Sequence, residues 1–517
     1  MSAQIATFRS ADPRSGAPLE PAFADAQPAA VVAAADRAAA AFAAEWEARS
    51  FSDAALLCAI ADGIEASAAA LRERAQAETG LPAARLEGEL ARTVGQLRAF
   101  AAVAERGDLL DPIVDRADPG ATPPKPDQRR ANVPIGPVAV FAASNFPFAF
   151  SVAGGDTAAA LAAGCPVVLK AHPAHPRTSE LTAAVVAEAV AFAGAPAAWF
   201  QLLHGSGPAV GQALARADAI EAVAFTGSFA GGSALARAAA ERARPIPVFA
   251  EMGSLNPLLV TPAAAAARGE QIADGLAAAV TGSAGQLCTK PGLIALVDDA
   301  AGRALAARLA QRLGEVEPAA MLTARLRDGF ATAAALALGD ERVETVVAAA
   351  ADRRPGAWQA PLLGAVRARA LEAGDALLEE LFGPAALIAW CEDAAELAAL
   401  PARLPAALTG SVHGERGEPL LATLVRRLAA RVGRVVVDGY PTGVAVGWAT
   451  VHGGPWPATS AAATTSVGMT AALRFMRPVG YQGLADELLP PALRDANPLG
   501  LVRRLDGRLT DAAVERR

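Results

Sequence analysis

The stretch Gly136-Pro-Val-Ala-Val-Phe-Ala-Ala-Ser-Asn-Phe-Pro147 opens as an apolar run behind a Gly-Pro break and stops in a polar turn. Residues 136–141 read as a short buried strand, and 143–147 as the turn that ends it. Downstream, strands are expected at 166–170, 198–203, 222–225 and 247–250, with helices at 178–194, 209–216 and 231–242 between them. Repeated strand-helix-strand units of this size imply an α/β fold, a parallel sheet covered by helices on both faces. A second α/β region spans about 254–456, opening with a helix at 269–280 and carrying strands at 293–297 and 386–390. Upstream, 29–107 reads almost wholly as helix, broken at 49–53 and 79–82, and a proline-rich linker follows at 118–127. A strand-like run at 470–479 precedes a tail of proline and charge.

The bulk composition narrows the class. A chain of 517 residues exceeds what one hydrophobic core supports, and 53% hydrophobic with 19% charged residues is globular. A net charge of -7 without a basic face excludes nucleic acid as a partner. Apolar stretches such as 183–198 are mostly alanine, interrupted by Glu188, Gly194 and Pro196, so no membrane partner is expected. The N-terminal MSAQIATFRSADPRSG has no apolar h-region, and no secretory signal is expected. Cys58, Cys165, Cys288 and Cys391 are scattered without a CxxC pair, which argues against a disulfide framework or a metal site and for a reducing cytoplasm.

Three polar residues end expected strands, where an open parallel sheet presents its ligands: Asn145, Lys170 and Glu251. Taken singly, each has a plainer reading as an Asx turn, a solvated lysine or a helix-entry charge. Cys288 alters the weighing. It lies in Gly282-Ser-Ala-Gly-Gln-Leu-Cys-Thr-Lys-Pro-Gly292, among small and turn-forming residues rather than in an apolar run. A thiolate nucleophile needs an oxyanion donor and, if its adduct is to be hydrolysed, a base. Asn145 can be the donor and Glu251 the base, with His452 in Val451-His-Gly-Gly-Pro455 a second candidate. Lys290 either depresses the thiol pKa or is a solvated loop charge, the second being the plainer reading.

Six segments in order resemble the aldehyde dehydrogenase superfamily: Ala143-Ser-Asn-Phe-Pro147, Pro166-Val-Val-Leu-Lys170, Phe225-Thr-Gly-Ser228, Glu251-Met-Gly-Ser254, Gly285-Gln-Leu-Cys288 and Glu379-Glu-Leu-Phe-Gly-Pro384. Further stretches, among them Ser151-Val-Ala-Gly-Gly-Asp-Thr157 and His452-Gly-Gly-Pro455, resemble the bacterial branch holding 2-oxoglutarate semialdehyde (2,5-dioxovalerate) dehydrogenases and an NADP-linked fatty aldehyde dehydrogenase. The resemblance implies a Rossmann-like dinucleotide-binding domain at 1–120 and 139–253. A catalytic domain at 254–456 and an oligomerisation segment with tail at 121–138 and 457–517 complete the expectation, in a homodimer or homotetramer. The absence of GxGxxG at the first strand-helix turn agrees with this superfamily.

The same resemblance implies Cys288 as nucleophile, Asn145 and the Cys288 N–H as oxyanion donors, and Glu251 as the base that activates water, assisted by His452. Lys170 would bond the adenosine-side ribose, Gly227 and Ser228 would start the helix facing the pyrophosphate, Glu380 would bond the nicotinamide ribose, and Phe382 would pack beside the nicotinamide. Pro173 stands where many NAD-preferring relatives carry glutamate, so the cofactor is NADP or NAD. The expected substrate is a small aldehyde, foremost 2-oxoglutarate semialdehyde, with a fatty aldehyde as the rival. An anionic semialdehyde needs an arginine near the entrance. Arg129 and Arg130 fall instead in the segment assigned to oligomerisation.

Overall fold

The structure is a computed structural model and describes residues 6–48, 50–348 and 354–515. The run that opens the sequence reading forms the strand Val138–Phe141, with all four residues buried. It is the middle of a five-stranded, wholly parallel sheet in the order Phe200–Leu203, Val167–Lys170, Val138–Phe141, Ala222–Thr226, Val248–Glu251. Numbered along the chain, that order is third, second, first, fourth, fifth. The winding therefore reverses beside Val138–Phe141, and a crevice opens there at the carboxyl ends of the strands.

Helices cover both faces. On one side Leu56, Leu57, Ile60, Leu86, Leu97 and Phe100 from the helical lead-in pack with Val140, Leu161 and Val167. On the other, Val31 and Leu214 pack with Phe141 and Val223. The lead-in consists of Pro28–Ala48, Asp53–Ala66, Ala68–Thr79 and Ala83–Glu105, so both expected breaks are present, although Arg49 itself lies outside the described residues. Ser52 caps the second helix through Ala55 N–H, and Gly80 closes the third at φ 68°.

The second sheet has seven strands, in the order Glu344–Val347, Leu362–Arg367, Ala385–Cys391, Leu293–Val297, Leu258–Val260, Ala407–His413, Val432–Val437, and only the first is antiparallel. The helix expected from 269 begins earlier, as Pro262–Thr281, and is kinked at Arg268. Its first turns are alanine, which carries no facial pattern for a reader of sequence.

A small five-stranded sheet joins Met476–Gln482, Gln128–Pro134, Ile113–Asp115, Arg503–Leu505 and Arg508–Thr510. It starts at Ile113, upstream of the expected 121. The strand read at 470–479 is corrected as well: Met469–Phe475 is a buried 3-10 stretch, and the strand is Met476–Gln482. Phe475 and Ala471 sit in the main core, and Arg474 pairs with Asp156 on the helix Gly155–Ala162, which holds the stretch off the sheet. Residues 457–460 lie along the edge of the first sheet, where Met252 N–H donates to Ala458 O and Glu251 bridges Thr459. No single helix among the described residues is long and apolar enough to cross a membrane.

Candidate active site

Cys288 lies between the helix Pro262–Thr281 and the strand Leu293–Val297, on a turn in which Ser283, Ala284 and Gly285 all adopt positive φ. Three successive left-handed residues reverse the chain sharply. A Cβ on Gly285 would come within 2.2 Å of the Gly383 backbone, so that glycine lets the cysteine turn seat against Glu379-Glu-Leu-Phe-Gly-Pro384. Beyond the turn, buried Asn256 donates from Nδ2 to the carbonyls of Cys288 (2.7 Å) and Lys290 (3.1 Å). The backbone around Cys288 is thereby fixed on both sides.

Three reactive side chains converge. Cys288 Sγ is 3.5 Å from His452 Nε2, which is 3.2 Å from Glu251 Oε1. Their ligating atoms all lie within 4.8 Å of one another. Glu251 is the last residue of its strand, and its second oxygen accepts a short hydrogen bond from Ser466 Oγ. His452 is held by Thr465, whose Oγ1 accepts from its backbone N–H at 2.8 Å. Burial pushes the Cys288 thiol well above its usual pKa, and the charges of Glu251 and Glu380 push it further. Burial also lowers the His452 pKa, so the imidazole is neutral and able to accept a proton.

Asn145 is buried and donates from Nδ2 to Gln286 O at 2.9 Å, two residues before the thiol. An amide nitrogen carries two N–H bonds, so a second donor remains for a substrate oxygen. Behind it runs a polar stripe that the reading of the sequence missed. Arg85, Glu89, Arg92 and Gln96 follow one another at helical spacing on Ala83–Glu105. Arg85 donates to Asn145 O (2.8 Å), Ser283 Oγ (2.8 Å) and Glu89 (2.6 Å), while Glu89 accepts from the backbone N–H groups of Phe148 and Ala149. The signal was available as four long polar side chains at i, i+4, i+7 and i+11. Ser466 and Asn256 gave no comparable signal.

The candidate cofactor residues fall around the crevice. Lys170 ends its strand, and among the described residues no hydrogen bond or ion pair reaches its ammonium. Burial lowers its pKa to about 8, against the opposing charge of Asp25. Gly227 and Ser228 precede the helix Phe229–Ala240, and Ser228 Oγ accepts from Gly231 N–H. A Cβ on Gly227 would meet the Phe225 ring at 2.6 Å. Pro173 is half-buried in the turn after Lys170, and Phe382 is half-buried beside Gly383. Glu380 lies against Gly253, where a Cβ would stand 2.5 Å from its Oε2. Lys290 is buried rather than solvated and donates to Ala385 O at 2.6 Å, because the loop folds inward toward Glu380. Burial lowers the lysine's pKa and raises that of the glutamate, and each charge partly offsets the other.

Residues 1–455 match the aldehyde dehydrogenase family. The chain belongs to that family. This aldehyde dehydrogenase is an NAD(P)-dependent oxidoreductase by membership. It is 47% identical to alpha-ketoglutaric semialdehyde dehydrogenase 2 of Azospirillum brasilense, over 97% of this chain and 96% of that one. It is 41% identical to alpha-ketoglutaric semialdehyde dehydrogenase of Acinetobacter baylyi, over 87% of this chain and 86% of that one. Among solved structures, the NAD+ complex of an aldehyde dehydrogenase from Bacillus cereus superposes with a TM-score of 0.78 at 20% identity, covering 92% of this chain and 93% of that one. That likeness shows the shared fold.

Proposed function

We propose that this enzyme oxidises 2-oxoglutarate semialdehyde to 2-oxoglutarate, with Cys288 as nucleophile. The convergence of Cys288, His452 and Glu251 carries the reading, and the near full-length likeness to the Azospirillum enzyme supports the substrate. His452 takes the thiol proton as Sγ attacks the aldehyde carbon, and Asn145 Nδ2 with the Cys288 N–H holds the oxyanion of the thiohemiacetal. Loss of hydride from the thiohemiacetal, to the acceptor that a nicotinamide held beside Glu380 and Phe382 would supply, leaves the thioester on Cys288. Glu251 then removes a proton from water, which attacks the thioester carbonyl, and the Cys288 thiolate leaves as the acid forms. A metal on the same trio would tie up the thiolate lone pair that must attack the aldehyde.

The crevice fits a dinucleotide. A half-buried Lys170 with no hydrogen bond or ion pair among the described residues, a buried Thr226 Oγ1 without a partner and the N-terminus of Phe229–Ala240 suit ribose hydroxyls and phosphates. Glu380 and Phe382 would face the nicotinamide end, and Pro173 adds no charge. Of the two cofactors we favour NAD. Asp25 accepts from Ser206 N–H (2.7 Å) and Oγ (2.8 Å), which places a carboxylate beside Lys170, and burial lowers the His204 pKa and keeps it neutral. Among the described residues beside Lys170 no second cation is placed to balance a 2′-phosphate. We further propose dinucleotide binding by 1–120 and 139–253, catalysis by 254–456, assembly through 121–138 and 457–517 into a homodimer or homotetramer, and a cytoplasmic site of action.

Steady-state rates with 2-oxoglutarate semialdehyde, succinic semialdehyde and a long-chain aldehyde, each with NAD and NADP, test the assignment. The five-carbon keto acid should give the highest kcat/KM. Equal or better turnover of the long-chain aldehyde would contradict it.

A further inference from the structure

An anionic substrate must be met by a cation, and the polar stripe on Ala83–Glu105 supplies one with no other employment. Arg85 and Glu89 bond each other and the backbone of the Asn145 turn. Arg92, one turn further on, makes no hydrogen bond or ion pair among the described residues, and its Nε is buried without a partner. Its guanidinium carbon lies 5.2 Å from the Phe150 ring centroid and 6.0 Å from that of Phe146, so aromatic faces hold it in place. Phe150 in turn lies 6.3 Å, centroid to centroid, from His452, which contacts Cys288. Arg92 is thus separated from the thiol by the width of one or two side chains.

We propose that Arg92 is the specificity-determining residue that binds the carboxylate of the substrate while its aldehyde carbon is held at Cys288. A partly desolvated cation without an anion is costly, and burial lowers the Arg92 pKa while the charges of Glu89, Cys288 and Glu251 act against that shift. An incoming carboxylate supplies what is missing, through the planar fork that guanidinium offers. Phe146, Phe150, Val444 and Val446 cluster beside it and give the methylene chain an apolar wall. The other arginine whose charge reaches Cys288 is already engaged: Arg434 donates to Gly443 O at 2.9 Å and Pro441 O at 2.7 Å. The assignment rests on the semialdehyde reading above and names the recognition element that reading lacked.

The test is the ratio of kcat/KM for 2-oxoglutarate semialdehyde to that for pentanal, a neutral five-carbon aldehyde, measured within each preparation so that misfolded protein cancels. Arg92→Met should lower this ratio by about 100-fold, mostly through KM of the anionic substrate, as expected for a lost charge-assisted contact. Arg92→Lys should lower it by about tenfold, retaining charge but not the fork. A ratio unchanged in both variants overturns the proposal. Wild-type enzyme that oxidises pentanal and not the semialdehyde would instead overturn the functional reading. Arg92 is then decided by glutarate inhibition of pentanal oxidation: a Ki raised in Arg92→Met sustains a carboxylate site, and an unchanged Ki removes it.

Discussion

Cys288 is surrounded by groups that keep its thiol protonated: a buried setting and the charges of Glu251 and Glu380. The proposed attack therefore needs a neutral acceptor within reach, and His452 Nε2, 3.5 Å from the thiol, stands where that part requires. The proposed preference for NAD belongs to the same scale. Asp25 acts on Lys170 and is tied to Ser206, so an extra phosphate would meet a carboxylate where it needs a cation. Asp25→Asn should move the NADP-to-NAD ratio of kcat/KM upward by about tenfold, since removing one like charge at this range is worth on the order of 1 kcal/mol. No change in that ratio would place the 2′-hydroxyl away from Asp25.

At the scale of elements, the geometry of the nucleophile is made by backbone. The turn 283–285 runs left-handed through three residues, and Asn256, itself at φ 51°, bonds carbonyls on both sides of Thr289. Gly285→Ala should cost more than 2 kcal/mol of stability or prevent folding, because positive φ and a 2.2 Å approach to the Gly383 backbone act together. Thermal melting and kcat together would show it, and a wild-type Tm would contradict it. Lys170 and Glu251 were legible because each ends an apolar strand, and Asn145 because it lies in the turn after one, in a sheet whose winding the sequence makes plain. Asn256, Ser466 and Arg92 were not, since their roles come from contacts with residues far along the chain or, for Arg92, from a helix read only as an alanine-rich lead-in. Lys290 was misread for the same reason, as nothing local indicates that its loop turns inward onto Glu380.

For the whole molecule, a wholly parallel sheet ending in Glu251 meets the turn before Leu293–Val297 of a mostly parallel one, and the segment after His452 returns along the edge of the first sheet. Buried histidines make this fold sensitive to acid. His413, at the end of Ala407–His413, makes no hydrogen bond through either ring nitrogen, with Asp438 Oδ1 3.8 Å from Nδ1, and burial lowers its pKa to about 4 against that charge. The unfolded chain then binds protons more readily than the folded one between about pH 6.5 and 4, so stability is complete above that window and is lost as pH falls through it. His413 alone contributes about 3 kcal/mol to this loss, with His452 acting in the same direction. Urea midpoints from pH 7.5 to 4.5 should fall steadily and fall less in His413→Asn. The central claim, that Cys288 acylates and Glu251 hydrolyses, is tested most directly by the pre-steady-state burst of reduced cofactor in Glu251→Gln. A burst approaching one equivalent per site, followed by negligible turnover, is the expected result, with Cys288→Ala giving neither. Sustained turnover at the wild-type rate in Glu251→Gln would contradict the account.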